Sequence, residues 1–296
     1  MTVFMLAADA PHMQVAELAN AAVIALGVIL GCGFVLRLIR RGEWRDPLVG
    51  LRGAARGPSL IQLCGVVLAY VVLAVVFGLA LERIFKPDPA SEPGTQRWHL
   101  AVLADSAAKL CAAGVAVYVL YTAQSLPAGR RRGPLRAMAT GLLAGVILIA
   151  VCTLQLSTMT VLWQWLDPHR PPPLHDVLVA FWQSEWGVWG QVELFLTAVV
   201  VAATVEELLF RGLLLQTIWR YSQHAWLAIA LSALAFGAMH FTQPQGILPL
   251  ATMGVVLGYV RLRTGSLAAC VIAHALFNAR TMILATFFPE LLDAAG

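Results

Sequence analysis

The stretch from Leu63 to Leu81 contains no charged residue and is long enough to cross a lipid bilayer as a helix. Crossing the hydrocarbon core takes about 20 apolar residues. The same criterion predicts eight spans in all, and the predicted fold is an all-α, polytopic transmembrane helix bundle forming a single domain over residues 1–296. The predicted spans lie at roughly 16–39, 60–81, 99–121, 138–162, 189–217, 226–242, 246–261 and 266–287.

The composition excludes a soluble globular protein. Hydrophobic residues make up 59% of the 296 residues and charged residues only 12%, whereas a soluble domain carries about 25% charged residues. The net charge of +4 comes largely from arginines in short loops between apolar runs, which argues against nucleic acid as a partner. We expect an integral membrane protein of a bacterial inner membrane, with the lipid bilayer as its surroundings.

The distribution of arginine between successive loops predicts the orientation in the membrane. Alternate loops are rich in arginine, while the intervening loops carry only Arg83, Lys86, Arg97 and Arg170. By the positive-inside rule, both chain termini are predicted to lie outside the cytoplasm. The arginines that mark the predicted cytoplasmic side are Arg37, Arg40, Arg41, Arg45, Arg52, Arg56, Arg130, Arg131, Arg132, Arg136, Arg220, Arg261 and Arg263.

Three ionisable residues, Glu206, Glu207 and Arg211, interrupt the predicted span at 189–217. Charged groups near the bilayer centre cost about 2.5–3.5 kcal/mol each, so they face the bundle interior or a wet cavity. Glu207 and Arg211 are four residues apart, which predicts an ion pair within the helix. Glu206 points about 100° away and has no partner nearby in the sequence, which suits it to proton transfer.

Two further polar clusters follow, Phe236 with His240 and His274 with Asn278. Glu206 and His240 each lie 14 residues from the predicted inner end of their span, a depth of about 21 Å at 1.5 Å per residue. His274 and Asn278 share one helix face, at depths of about 12 and 18 Å. The three clusters are therefore expected to meet in one layer of the bundle.

These residue types predict a hydrolytic site for an acyl group such as a peptide bond. A carboxylate and a histidine can deprotonate a water, and a histidine with an asparagine can donate hydrogen bonds to an oxyanion. The sequence contains neither a GxSxG serine-hydrolase motif nor an HExxH zinc motif. No cofactor is expected. Zinc held by Glu206, His240 and His274 is the open alternative, because two histidines and a carboxylate form an established ligand set.

Two other classes of function compete with hydrolysis. Glutamates and histidines inside a membrane also build proton relays, so a proton-coupled transporter is the main rival. The sequence shows no internal repeat and no matching pair of broken spans, which are typical of transporters. A non-catalytic immunity or scaffold membrane protein that has kept the motif residues is the third class.

The order EExxxR, FxxxH and HxxxN, each motif in its own apolar span, resembles the CPBP family of intramembrane proteases. That family contains the type II CAAX prenyl endopeptidases and the bacteriocin-processing or bacteriocin-immunity proteins. The resemblance covers roughly residues 190–285, which would form the catalytic core. It implies a glutamate-dependent intramembrane endopeptidase without a covalent intermediate, acting on a membrane-anchored protein or peptide.

The resemblance also implies roles for individual side chains. Glu206 is expected to be the general base, with His240 positioning the water, and His274 and Asn278 are expected to form the oxyanion site. The residues expected to support the site are Glu207, Arg211 and Phe236.

Glu193 is expected to be solvated, because helix rise places it about 20 Å from Glu206, near the outer end of the same span.

Overall fold

A computed structural model describes residues 11–49, 57–88, 92–123, 133–169 and 172–289. The regular structure within these ranges is entirely helical, which confirms the all-α class. Two π-helical segments, Thr197–Ala202 and Leu208–Leu214, separate α6 from α7 and α7 from α8. The α-helices are α1 (Pro11–Arg40), α2 (Leu60–Phe85), α3 (Gln96–Thr122), α4 (Pro134–Leu166), α5 (Asp176–Gln183), α6 (Val188–Leu196), α7 (Ala203–Glu207), α8 (Leu215–Ser222), α9 (Ala225–Ala238), α10 (Pro244–Thr264) and α11 (Leu267–Phe287).

Six helices in the described part of the chain are long and apolar enough to cross a membrane, namely α1, α2, α3, α4, α10 and α11. This confirms the polytopic bundle, but two of the eight predicted spans are not single long α-helices. The span predicted at 189–217 is a helical run, 188–222, that contains the two π-helical segments. The other, α9, has 14 residues and is about 21 Å long, shorter than the hydrocarbon core of about 30 Å.

The span predicted at 226–242 ends earlier than expected, because α9 stops at Ala238. Pro244 is at the start of α10, and the preceding Gln243 has φ −127° and ψ 77°, outside the helical region. A residue before proline is sterically disfavoured from helical geometry. His240 therefore lies in the turn between α9 and α10, where its backbone N–H donates to the Gly237 carbonyl at 3.1 Å.

Small residues let α11 pack closely on α4, and this contact positions the last motif. A Cβ atom on Gly141 would lie 2.8 Å from the Ala269 carbonyl oxygen, and one on Gly145 would lie 2.8 Å from the Leu276 side chain. Buried residues of α4, α9, α10 and α11, including Leu148 and Phe236, form one apolar core. The core therefore lies directly beside the motif residues.

Two arginines at the ends of separate helices bind the loop after α1 at one end of the bundle, which we call the arginine-rich end. Arg220, in the last turn of α8, donates to the Gly57 carbonyl at 2.8 Å. Arg263, in the last turn of α10, donates to the Val49 carbonyl at 2.8 Å and to buried Glu43 at 2.9 Å. These contacts tie the loop after α1 to the ends of α8 and α10. They join loops that the arginine pattern had assigned to one side of the membrane.

Candidate active site

The two adjacent glutamates lie at the end of α7, a five-residue α-helical turn between the two π-helical segments. π-Helical insertions are rare and frequently occur at functional sites. Glu207 is fully buried, whereas 26% of the Glu206 side chain is exposed. The two carboxylates thus have different surroundings, as their positions on the helix predicted.

The buried glutamate forms the predicted ion pair within the helix. Nη1 of Arg211 donates to Oε1 of Glu207 at 2.9 Å, and both side chains are almost completely buried. The Arg211 guanidinium also lies 4.5 Å from the centre of the Phe236 ring, a cation–π contact. Arg211 therefore balances the charge of Glu207 and links α9 to the helix that carries the carboxylates.

His274 lies between the two glutamates. Its Nδ1 is 3.0 Å from Oε1 of Glu207 and donates to that carboxylate, while its Nε2 is 3.9 Å from Oε2 of Glu206. A separation of 3.9 Å is too long for a direct hydrogen bond. One oxygen atom at about 2.8 Å from both atoms would make an angle of about 90° there. The gap therefore suits a single water or a substrate oxygen.

Phe236 contacts both histidines of the site. The Phe236 ring centre is 5.4 Å from that of His240 and 5.8 Å from that of His274, both in edge-on arrangements. Nδ1 of His240 donates to the Phe236 carbonyl at 3.1 Å, so Nε2 of the neutral ring is an acceptor. His240 is thus connected to the carboxylates through the Phe236 ring.

Asn278 is anchored on the helical run that carries the glutamates. Its Nδ2 donates to the Ala198 carbonyl, in the first π-helical segment, at 2.8 Å. His274 contacts the glutamates later in that run, so α11 and the run are antiparallel. The structure therefore brings Glu206 and His274 together directly and holds Asn278 against the same run through a backbone contact.

His175, the N-cap residue of α5, lies close enough to His240 to interact with it electrostatically and was not predicted as a site residue. Nδ1 of His175 accepts the Val177 N–H at 3.1 Å. Gln245 donates to the Pro173 carbonyl at 2.7 Å, which ties the loop before α5 to the segment after His240. Burial lowers the pKa of His175, and the nearby charge of His240 lowers it further, while Asp176 opposes the shift. No periodic pattern links residues so distant in sequence; the only signal was a histidine after a proline-rich loop.

The alternative zinc set is not assembled. Among the described residues, no three His, Cys, Asp or Glu side chains form a group that could hold a metal ion. Glu206, His240 and His274, the residues of the alternative zinc set, are all among the described residues and do not form such a group.

Comparison with known proteins identifies the segment that carries this site. Residues 188–280 match the family described as type II CAAX prenyl endopeptidase Rce1-like. No curated protein and no solved structure matches the chain. The matched segment starts with α6 and includes all the motif residues from Glu206 to Asn278. The match covers less than half of the 296 residues. Together with the six membrane-length helices, it indicates an integral membrane protein whose residues 188–280 are similar to the CAAX-type intramembrane protease family.

Proposed function

We propose that this protein is an intramembrane endopeptidase that hydrolyses a peptide bond of a membrane-associated protein or peptide, with water as the nucleophile. The supporting observation is the gap between Glu206 and His274. Glu206 is the partly exposed carboxylate, and it faces Nε2 of a histidine whose other nitrogen is held by buried Glu207. A base beside a fixed imidazole can activate a water without a covalent intermediate.

Glu206 acts as the general base in this proposal. It accepts a proton from the water as the water oxygen attacks the carbonyl carbon of the scissile bond. The same proton then passes to the leaving nitrogen as the C–N bond breaks, which returns Glu206 to its carboxylate form. Nε2 of His240, an acceptor because Nδ1 donates to Phe236, positions the water through its second hydrogen.

His274 and Asn278 stabilise the oxyanion in this proposal. His274 donates from Nε2 when it carries two protons, with Nδ1–H on Glu207. The charges of two carboxylates, one guanidinium and one imidazolium then sum to zero within the buried group. Asn278 uses one N–H on Ala198, which leaves its second N–H for the substrate. Donors held in place before the reaction are effective in a site shielded from water.

We infer that the substrate reaches the site from the non-cytoplasmic side. Glu206 lies 14 residues before Arg220 in the sequence, which corresponds to about 21 Å along a helix from the arginine-rich end. If that end is cytoplasmic, as the positive-inside rule predicts, the site is nearer the outer face. We expect a C-terminal alkaline phosphatase fusion to be active and a C-terminal green fluorescent protein fusion to be dark. The reverse pattern would overturn this orientation.

Cleavage by purified protein in proteoliposomes tests the function. Membrane-anchored peptides are incubated with the protein, and new termini are identified by mass spectrometry. Glu206→Gln is expected to abolish product while the unfolding temperature holds, and Glu193→Gln, on the same helical run, is the matched control. Product formation by Glu206→Gln at the normal rate would refute the role of Glu206 as general base.

Two further outcomes would favour the alternatives. A change only in ion-coupled flux in Glu206→Gln would favour a transporter. Loss of cleavage in EDTA that zinc restores would favour a metal-dependent mechanism.

A further inference from the structure

Besides Thr217, three buried side chains of the helical run between the site and the arginine-rich end carry polar atoms without a protein partner. These atoms are Oε2 of Glu207, Nη2 of Arg211, and both the oxygen and the nitrogen of the Gln216 amide. All three side chains are at most 1% exposed. A buried polar atom without a hydrogen bond costs about 1–3 kcal/mol. Four such atoms on one helical run indicate that water supplies the missing partners.

The spacing of the second π-helical segment predicts that these side chains lie along one side of the run. Hydrogen bonds in a π-helix connect residue i to residue i+5, so its turn contains more residues than an α-helical turn. Arg211 and Gln216 are five residues apart, and Leu208–Leu214 covers most of that interval. Glu207 is already joined to Arg211 by their ion pair. On that spacing the three residues form a row that spans at most about 14 Å along the helix.

The row ends at the two places that a water path would have to join. At one end, Gln216 lies one turn before Arg220, and a Cβ atom on Gly57 would lie 2.6 Å from the Gln216 carbonyl oxygen. Gly57 also accepts the Arg220 hydrogen bond, so Gln216 lies just beneath the arginine-rich end. At the other end, Glu207 holds the His274 ring that faces Glu206.

We propose that Glu207, Arg211 and Gln216 line a file of internal water that connects the arginine-rich end to the gap between Glu206 and His274. The row offers an acceptor, a donor and an amide that does both, which a chain of waters can satisfy because each water donates and accepts. The unpartnered atoms alone support the presence of water in this file. The use of this water as the reactant consumed in each cleavage rests on the proposed function.

Radiolytic hydroxyl-radical labelling of the protein in lipid nanodiscs tests the hydration directly. Radicals formed from internal water modify adjacent side chains even when these are shielded from bulk solvent. Phe210, whose ring centre is 5.9 Å from the Arg211 guanidinium carbon, is the reporter for the file. Leu148 of α4, which is fully buried in the apolar core, is the dry reference. We expect Phe210 to be labelled well above Leu148 after both rates are divided by the intrinsic reactivity of the two side chains toward hydroxyl radical.

The variant Gln216→Leu removes both amide atoms at nearly constant volume. We expect several-fold weaker labelling of Phe210 and several-fold lower turnover, with an unfolding temperature that is unchanged or higher because two unpartnered atoms are gone. Gln155→Leu is the matched control, since Gln155 also has a buried unpartnered oxygen but lies on α4 and donates to Thr252. It should leave Phe210 labelling and turnover unchanged.

The outcomes separate the parts of the proposal. Labelling of Phe210 no stronger than that of Leu148 overturns the water file, and this measurement needs no variant. Unchanged labelling in Gln216→Leu overturns the role of Gln216. Weaker labelling with unchanged turnover overturns the supply of reactant water. Absence of cleavage in every form, including wild type, refutes the proposed function, while the labelling still decides whether the file exists.

Discussion

Two buried histidines contact glutamates of the same helical run, and they differ in whether the protein satisfies both ring nitrogens. Near the start of the run, Nδ1 of His99 is 2.9 Å from Glu193 and Nε2 is 2.9 Å from the Ser184 hydroxyl. The ring is fully buried and stacks on Trp186 at 4.6 Å. Nearer the middle of the run, His274 has one nitrogen on Glu207 and the other 3.9 Å from Glu206. We call these three residues the open cluster.

Ser184, His99 and Glu193 contact one another in the Ser–His–Glu order of a serine-hydrolase triad. We call them the closed cluster, because no substrate group fits beside the serine. A Cβ atom on Gly190 would lie 2.0 Å from the Ser184 hydroxyl oxygen and 2.8 Å from Cε1 of His99. An acyl group has no room on that side of the serine. A histidine with both nitrogens bonded to protein groups stabilises the packing of α3 on α6, whereas one with a free nitrogen beside a carboxylate can act on a substrate.

The largest expected effect compares the two histidines themselves. His274→Asn is expected to lower turnover by about 10²–10⁴-fold, because it removes the imidazole that we propose to contact the reacting atoms. His99→Asn is expected to leave turnover within about threefold but to lower the unfolding temperature, because it disrupts two buried hydrogen bonds. Cleavage rates and thermal unfolding of both variants check this. Equal loss of turnover in the two variants would refute the distinction between an open and a closed cluster.

The second prediction concerns the charge that supports the open cluster. Arg211→Met leaves Glu207 buried without its cation, and the expected destabilisation is about 3–5 kcal/mol. Arg97→Met breaks the Glu82–Arg97 pair, whose side chains are 47% and 37% exposed, and should cost less than about 1 kcal/mol. Denaturation in detergent measures both. Similar losses for the two variants would show that Arg211 does not neutralise a buried carboxylate.

The third prediction tests how tightly the closed cluster is packed. Gly190→Ala places a methyl group against Ser184 and His99 and is expected to cost about 1–3 kcal/mol through overpacking. Gly78→Ala is the matched control, because a Cβ atom there meets nothing within 4 Å. The control should be neutral or slightly stabilising, since alanine favours helices. An unfolding temperature that Gly190→Ala leaves unchanged would contradict the packing.

The smallest expected effect concerns His175, the N-cap residue of α5 near His240. Its pKa in the folded protein lies below its usual value, chiefly because of burial, so folding favours the neutral ring. The stabilisation from the neutral ring is present above the unfolded-state pKa of about 6.5 and is lost as the pH falls through the lower folded-state pKa. His175→Asn can still cap Val177 and should flatten this part of the pH dependence of the unfolding temperature. An unchanged slope would exclude His175 as its source.

The candidate site was predictable where it depends on spacing along one helix. The Glu207–Arg211 pair follows from a four-residue interval, and the structure contains it. Glu193 was predicted to be solvated, and this was wrong: its side chain is 11% exposed and bonded to His99. No local pattern signals that contact, because it joins positions 94 residues apart. The catalytic roles of Glu206, His240, His274 and Asn278 stay predictions.

The amino-acid sequence by itself determined the apolar helices, the order of the three motifs and the different surroundings of the two glutamates. These depend on hydrophobicity and periodicity over about 20 residues or fewer. Only the tertiary structure decided which nitrogen of His274 meets which carboxylate, that Phe236 contacts both histidines, and that π-helical segments flank the glutamates. Those features arise from packing between helices distant in sequence, which no local pattern encodes.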